Sequence, residues 1–353
     1  MANDKPAKRP RSRKGAPGIV DVAQRAGVSP ATVSRFYNSP KMLRGQTRQR
    51  ISKAAVELGY IRNRMAGALH SRFSGTIGLV VPTINNAIFA ELIEAFSSQL
   101  QKHDCNMLIA SHNYDLDLEV SIVRSLLERR IDGVALVGHD HSTAALEMLK
   151  VRDVPVIALW NYRGKSSIPC IGADNAAAAA TVTQHLIDLG HTDIALLFPN
   201  TESNDRARDR KQAALAVMQA SKIVVAAHRV LLCPYSIEVA KDIATQLIRD
   251  DKPTAIVCGN DIIAHGVIYA AHACKLKLPD DLSIVGIGDF TGSGQIEPGL
   301  TTVRLPARRI GQLAADTIVK MSVSDSAEAR TSEIKLAVDA PLVVRESTGR
   351  LPT

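Results

Sequence analysis

From residue 76 onward the chain alternates two textures. Short apolar runs recur at 77–81, 106–110, 133–137, 156–160, 194–198, 230–232, 255–258 and 283–287. Between them lie longer stretches with helix-like spacing of apolar positions, for example 91–102, 119–129, 176–189, 210–220, 237–249 and 262–274. Runs this short and this continuously apolar predict strands buried on both faces, as in parallel sheets covered by crossover helices. Strand alternating with helix predicts an α/β architecture, and eight or more strands predict two such lobes facing each other. Many runs end in polar or turn-forming residues: Pro82-Thr83, Gly138-His139-Asp140, Asn161, Pro199-Asn200, Gly259-Asn260-Asp261 and Gly288-Asp289. The carboxyl ends of parallel strands are where open α/β folds hold ligands.

Residues 18–62 pattern differently, as short helices with tight turns. Val22 and Ala26, four apart, share one face of a helix that Gly27 can end with a left-handed cap. Ser29 is a natural cap for a second helix, Pro30 suits its first turn, and Val33 falls inward beside Val28. That second helix presents Pro30, Ala31, Ser34 and Arg35 outward. Small residues let a helix enter the major groove, and an arginine can pair bidentately with guanine. By pattern alone the segment could equally be an amphipathic hairpin with an exposed arginine.

Charge changes that balance. Residues 1–75 hold 16 lysines and arginines against three acids (Asp4, Asp21, Glu57), a net +13, so the rest of the chain carries −5 of the overall +8. A basic end on a mildly acidic body calls for a polyanionic partner, and duplex DNA is the obvious one. A membrane surface fits less well, because no basic amphipathic helix with bulky apolar residues is present. Residues 1–17 are rich in Lys, Arg and Pro and are expected to be disordered; they lack the apolar stretch of a secretory leader. No run of about 18 apolar residues suggests a membrane span. The five cysteines are scattered and include no CxxC pair, which fits buried thiols in a reducing cytosol better than a disulfide framework or a zinc site.

These residues resemble a known family. Asp21-Val22-Ala23, Ala26-Gly27-Val28-Ser29 and Thr32-Val33-Ser34-Arg35, then Asn38, Glu57-Leu58-Gly59-Tyr60, Asn63, Ala66 and Leu69, are similar to the DNA-binding end of the LacI/GalR regulators. The similarity continues from Ile77-Gly78-Leu79-Val80 through His185 to His191 and Pro279 to Gly286, and so covers nearly the whole chain. It implies an all-α helix-turn-helix headpiece with a hinge helix, followed by a bilobed, periplasmic-binding-protein-like α/β core with two parallel-sheet lobes. The expected segments are a disordered basic tail (1–17), the helix-turn-helix domain (18–62), a hinge helix and linker (63–75) and an effector-binding and dimerisation core (76–353). Within the core, lobe 1 is expected at about 76–173 plus 302–330 and lobe 2 at about 174–301 plus 331–353.

The resemblance also implies roles. Pro30, Ala31, Ser34, Arg35, Asn38, Asn63, Ala66 and Leu69 are expected to meet DNA, with Leu69 wedged into the minor groove at the operator centre, where unstacking is exchanged for contact. Arg210 matches an arginine that clamps effector oxygens, and a guanidinium suits hydroxyl or carboxylate ligands. Asn260, Asp261 and Asp289 match polar ligand-facing positions. Phe89 and Trp160 are candidate stacking faces, or equally packed core aromatics. Arg206, Arg208 and Arg210 at even spacing favour an anionic effector such as a sugar acid, or form a charge run paired with its own aspartates. Residues 292–298 (GSGQIEP) faintly resemble gluconate-type repressors.

Three positions, Arg62, Arg44 and Gly288, depart from the family pattern, and Gly67 bears separately on the hinge. Arg62 stands where proline is usual and is expected to add a phosphate contact. Arg44 replaces the usual serine-type cap, a role Thr47 is expected to take over. Gly67 should lower hinge helicity by about 1 kcal/mol relative to alanine. Gly288 replaces the first of a usual pair of aspartates.

The expectation is therefore a ligand-responsive repressor of a carbohydrate or sugar-acid operon. It would be cytoplasmic and nucleoid-associated, would need no cofactor or metal, and would bind a pseudo-palindromic operator as a homodimer or a dimer of dimers. A solute-binding protein is the alternative, disfavoured by the basic headpiece. An enzyme is not expected: no G-x-S-x-G elbow, P-loop, HExxH or G-x-G-x-x-G after a first strand occurs, and His139-Asp140-His141 reads as a loop at a strand end.

Overall fold

The computed structural model describes residues 17–62, 73–85, 87–324 and 334–351. The chain divides between Ser74 and Gly75 into two compact units.

The first unit holds α1 (Ile19–Ala26), α2 (Pro30–Asn38), a single 3-10 turn (Pro40–Met42) and α3 (Gly45–Leu58). The Asp21 carboxylate accepts from the Gly18 N–H at 2.7 Å and so satisfies a donor that opens α1. Gly27 ends α1 at φ 62°, a left-handed turn that favours glycine. Ser29 caps α2 by accepting from the Thr32 N–H at 3.2 Å, with Pro30 in the first turn, as expected. Val22 and Val33 are fully buried with Ile51, Ala54 and Ala55 of α3. Complete burial of a valine contributes about 1.5–3 kcal/mol, a large share of the stability of so small a unit. One expectation is corrected here: Arg44 occupies the N-cap of α3 without a side-chain cap, and Thr47 lies inside the first turn, too late to serve.

The second unit contains two six-stranded sheets. The first uses β1 (Thr76–Val81), β2 (Asn106–Ser111), β3 (Gly133–Val137), β4 (Val156–Asn161), β5 (Cys170–Ala173) and β11 (Lys335–Ala337), in the order β11-β5-β4-β3-β1-β2, all parallel. The second uses β6 (Ile194–Phe198), β7 (Val230–Leu232), β8 (Ala255–Cys258), β9 (Ser283–Gly288), β10 (Thr301–Arg304) and β12 (Leu342–Val343), in the order β12-β10-β9-β8-β6-β7. Only β12 runs antiparallel there. The crossover helices of the first lobe are α4 (Ala87–Lys102), α5 (Leu116–Glu128) and α6 (Thr143–Val151); those of the second are α7 (Asn175–Asp188), α8 (Asp205–Ala220), α9 (Ile237–Asp250) and α10 (Asp261–Ala273).

The chain crosses between lobes three times. β10 completes the second sheet, α11 (Ala307–Val323) then packs on α4 and beneath β3 and β4 of the first lobe, and β11 extends the first sheet before β12 returns to the second. The expected lobe limits at 301/302 and 330/331 are thereby corrected. Thr301–Arg304 pairs with β9, and Lys335–Ala337 pairs with β5, so both crossings fall later in the chain. The central strands β1, β3, β4, β6, β8 and β9 are buried almost throughout, whereas the edge strands β2 and β7 are half-exposed because they lose cover on one side.

Candidate nucleic-acid interface and ligand cleft

On the first unit, α2 presents Pro30, Ala31, Arg35 and Asn38 as exposed residues and Ser34 as half-exposed. Lys41, Arg44 and Arg48 are exposed on the same unit. Other cations there are committed to the fold. Arg25 pairs with Glu57 at 2.7 Å, and Arg50 donates to the Gly27 carbonyl at 2.8 Å, satisfying an acceptor at the turn between α1 and α2. Arg62 is also engaged: Nη1 donates to the Tyr37 carbonyl at 3.2 Å, Nη2 donates to Asn38 Oδ1, and the guanidinium lies 5.5 Å from the Tyr37 ring centroid. Asn63, Ala66 and Leu69 lie outside the described residues.

In the second unit the carboxyl ends of the two sheets meet over the first turns of α8. Asn161, at the end of β4, donates through Nδ2 to Asp205 Oδ2 at 2.8 Å and to Asp209 Oδ2 at 2.7 Å. Arg163 pairs with Asp209 at 3.0 Å, and Arg208 grips Asp140 with two bonds of 2.7 and 2.9 Å. Arg206, 5% exposed, pairs with Asp205 at 2.7 Å and donates to the Val137 carbonyl at 3.2 Å. Burial alone would raise the Asp205 carboxyl, but the Arg206 charge and the Asn161 amide hold it below the usual range. Three arginines thus each have a carboxylate.

Arg210 has none. It is 4% exposed, and its Nε donates to Asn175 Oδ1 at 2.8 Å and its Nη1 to the Gly259 carbonyl at 2.7 Å, both neutral acceptors. Burial pulls its pKa down. Asn175 is itself held by donation to Asn161 Oδ1 at 2.9 Å, so Arg210 is fixed through a chain of buried amides. Beside the Gly259 carbonyl, Asn260 caps α10 by accepting from Ile263 N–H at 3.1 Å. Its Nδ2 is buried without a hydrogen-bond partner, as is Nη2 of Arg206. A buried unpaired donor costs about 1–3 kcal/mol unless something supplies an acceptor.

The other expected ligand residues are occupied within the fold. Asp261 is fully buried; Oδ1 accepts from Thr302 at 2.6 Å, and Oδ2 accepts from Ser293 Oγ at 2.7 Å and from the Phe290 N–H at 3.1 Å. It ties β10 and the loop after β9 to the start of α10, and its burial raises its pKa despite these bonds. Asp289 accepts from Arg304 Nε and Arg345 Nη2, each at 2.6 Å. Gly288 has a physical reason: at φ 152° a Cβ there would lie 2.1 Å from the Phe290 ring, so the ring occupies the space of a side chain. Phe89 and Trp160 pack edge to face at 5.5 Å, and both are at least 97% buried, which makes them core aromatics. Trp160 has φ 79°, unusual for a bulky residue within a strand.

The loop after β3 fastens this side of the cleft. His139 Nε2 donates to the Asn161 carbonyl at 2.8 Å, and its N–H donates to Asp205 Oδ2 at 3.1 Å. His141 meets Glu119 Oε1 at 2.7 Å through Nδ1 and the Gly138 carbonyl at 2.9 Å through Nε2. No group of three His, Cys, Asp or Glu placed to hold a metal occurs among the described residues, and none of the described helices is long and apolar enough to cross a membrane. Asn161 is legible in the sequence as a polar strand end, but its bonds to Asp209 and the parts played by Asn175 and Arg163 are not, because the partners lie 14 to 48 residues away.

Comparison with known proteins agrees with both halves. Residues 18–63 match the model described as bacterial regulatory proteins, lacI family, and residues 74–343 match that of periplasmic binding proteins and sugar binding domain of LacI family. The HTH-type transcriptional regulator DegA of Bacillus subtilis (strain 168) is 30% identical over 95% of this chain and 99% of its own. The HTH-type transcriptional regulator GntR of Escherichia coli (strain K12) is 30% identical over 87% of this chain and 92% of its own. Among solved structures, the lac repressor dimer bound to operator and an anti-inducer superposes with a TM-score of 0.83 at 24% identity, covering 95% of this chain and 100% of that one.

Proposed function

The chain belongs to the LacI family of DNA-binding transcriptional regulators, and from that premise we propose that it is a repressor released from, or held on, its operator by a small anionic metabolite of the sugar-acid kind. Arg210 carries this reading. A fully desolvated guanidinium without a carboxylate is a costly arrangement, and it persists where a ligand completes it. The unpaired Asn260 amide at the same strand end offers a further donor. Together they suit a carboxylate flanked by hydroxyls.

On the DNA side, α2 enters the major groove with Arg35, Ser34 and Asn38, while Asn63, Ala66 and Leu69 form the hinge contacts and Leu69 opens the operator centre. Two copies place two headpieces on a pseudo-palindromic site. The relatives matched are regulators, and this chain likewise acts by binding and not by turnover, in the cytoplasm on the chromosome. Thermal-shift measurement with gluconate, other aldonates and the matching neutral sugars tests the effector class. A rise in the unfolding midpoint with the acids, absent with the neutral sugars, is expected; a neutral sugar that stabilises as well as any acid would overturn it.

A further inference from the structure

Arg62 stands at the junction between the headpiece and residues 63–72, where the family usually carries a proline. Its guanidinium does not point to solvent as a spare phosphate contact would. It closes on the end of α2 with both terminal nitrogens and lies against the Tyr37 ring.

Each bond has a consequence. The Tyr37 carbonyl is in the last turn of α2, where carbonyls lack intrahelical partners and the helix dipole favours a cation. The bond to Asn38 determines an orientation. A guanidinium can only donate, so Asn38 must present Oδ1 to it and aim Nδ2 the other way. Nδ2 then donates to Ser34 Oγ, one turn back, at 3.2 Å. With its oxygen accepting from Asn38, Ser34 keeps its own O–H as a donor beside the exposed Arg35. The polarity of the outward face of α2 is therefore set from the far end of the headpiece.

We propose that Arg62 is a positioning residue for DNA reading: it clasps the end of the recognition helix, fixes the Asn38 amide and through it the hydrogen-bond polarity of Ser34, and couples the departing connector to the helix that reads bases. The proposal rests on the headpiece being the DNA reader. It replaces the phosphate contact expected from the sequence. Lysine cannot substitute, because a single ammonium does not reproduce the two-pronged, planar geometry.

The test uses the full-length chain and the duplex that the wild type enriches from a random-sequence pool. Arg62→Ala and Arg62→Lys should each lose roughly five- to tenfold of the preference for that duplex over a scrambled one, about one charge-assisted hydrogen bond at a half-exposed position. The slope of log affinity against log salt should stay unchanged. Asn38→Ala, which also removes a groove contact, should lose at least as much with Arg62 intact, and the double variant Arg62→Ala/Asn38→Ala should be no worse than Asn38→Ala alone. If Arg62→Lys behaves as wild type while Arg62→Ala weakens every duplex equally and lowers the salt slope by about one, Arg62 is a phosphate contact and the clasp is refuted. Additive single effects, or an Arg62→Ala variant with full selectivity, refute it too. A wild-type chain that enriches no sequence overturns the headpiece reading itself, and the clasp with it; enrichment by wild type with any of the preceding results overturns the clasp alone.

Discussion

A guanidinium bonded only to an amide oxygen and a peptide carbonyl keeps its full charge in a medium that solvates it poorly, and Arg210 is in that position. Arg206 and Arg208, four and two residues earlier on α8, are matched by Asp205 and Asp140. The contrast separates an arginine without a carboxylate, the one proposed to meet the ligand, from two that bridge the lobes. Arg210→Ala should abolish the stabilisation by acidic ligands in a thermal-shift titration while leaving operator affinity within about threefold, since binding energy is lost only where the ligand contacts it. A retained midpoint rise would place the ligand elsewhere. On the headpiece, Arg35 is exposed on α2, the helix proposed to read bases. Arg35→Ala should relax base preference at one position of each half-site by about 1–3 kcal/mol, measured by competition with single-base variants of the selected duplex. Uniform weakening across all variants would instead make Arg35 a backbone contact.

At the scale of elements, the loop after β9 is held by three partners: Asp261 under the Phe290 N–H, and Arg304 and Arg345 on Asp289. Gly288→Asp, which restores the family's pair of aspartates, drives a Cβ into the Phe290 ring. It should destabilise the second unit by about 2 kcal/mol or more in denaturant unfolding, as overpacking at a positive-φ glycine does. An unchanged midpoint would mean that the ring yields. This loop also shows what could be read from the chain. Headpiece helices were legible because their signals are local: Gly27 ends one helix, and Ser29 and Pro30 start the next within four residues. The long central strands were legible as apolar runs. β5, β10, β11 and β12 were not, because none of them offers the run of branched apolar residues that marks even the equally short β7 and β8. The capture of Asp289 was hidden for another reason: Arg345 is 56 residues away, and nothing local announces it. The same holds for Asp261, whose matching position suggested ligand contact and whose three bonds serve the scaffold.

For the molecule as a whole, burial sets the response to pH. His112, His139, His185, His191 and His265 all have pKa values lowered, each chiefly by burial. Their neutral forms are the ones the fold accommodates, so the unfolded chain binds more protons as pH falls through the ordinary histidine range. Stability contributed by these groups is fully present above about pH 6.5 and is lost progressively below it. Glu119 and Asp205, whose carboxyls are held below their usual values, add a second loss on further acidification, as pH drops from the ordinary carboxylate range through their folded values. The unfolding midpoint of the chain should therefore fall between pH 7 and pH 5 and continue to fall below pH 4.5. A midpoint that is flat or rises from pH 7 to pH 5 would show that the imidazoles are solvated in the native state.

Ligand control and DNA reading are coupled in a regulator of this kind, so effector and operator must alter each other's affinity by the same factor. That coupling depends on sequence-selective binding by the basic headpiece. Random-site selection with the full-length chain, at two salt concentrations, measures it most directly. The account predicts enrichment of one duplex with two inverted half-sites, still preferred at the higher salt. Binding that is weak, indifferent to sequence and abolished by salt would contradict it.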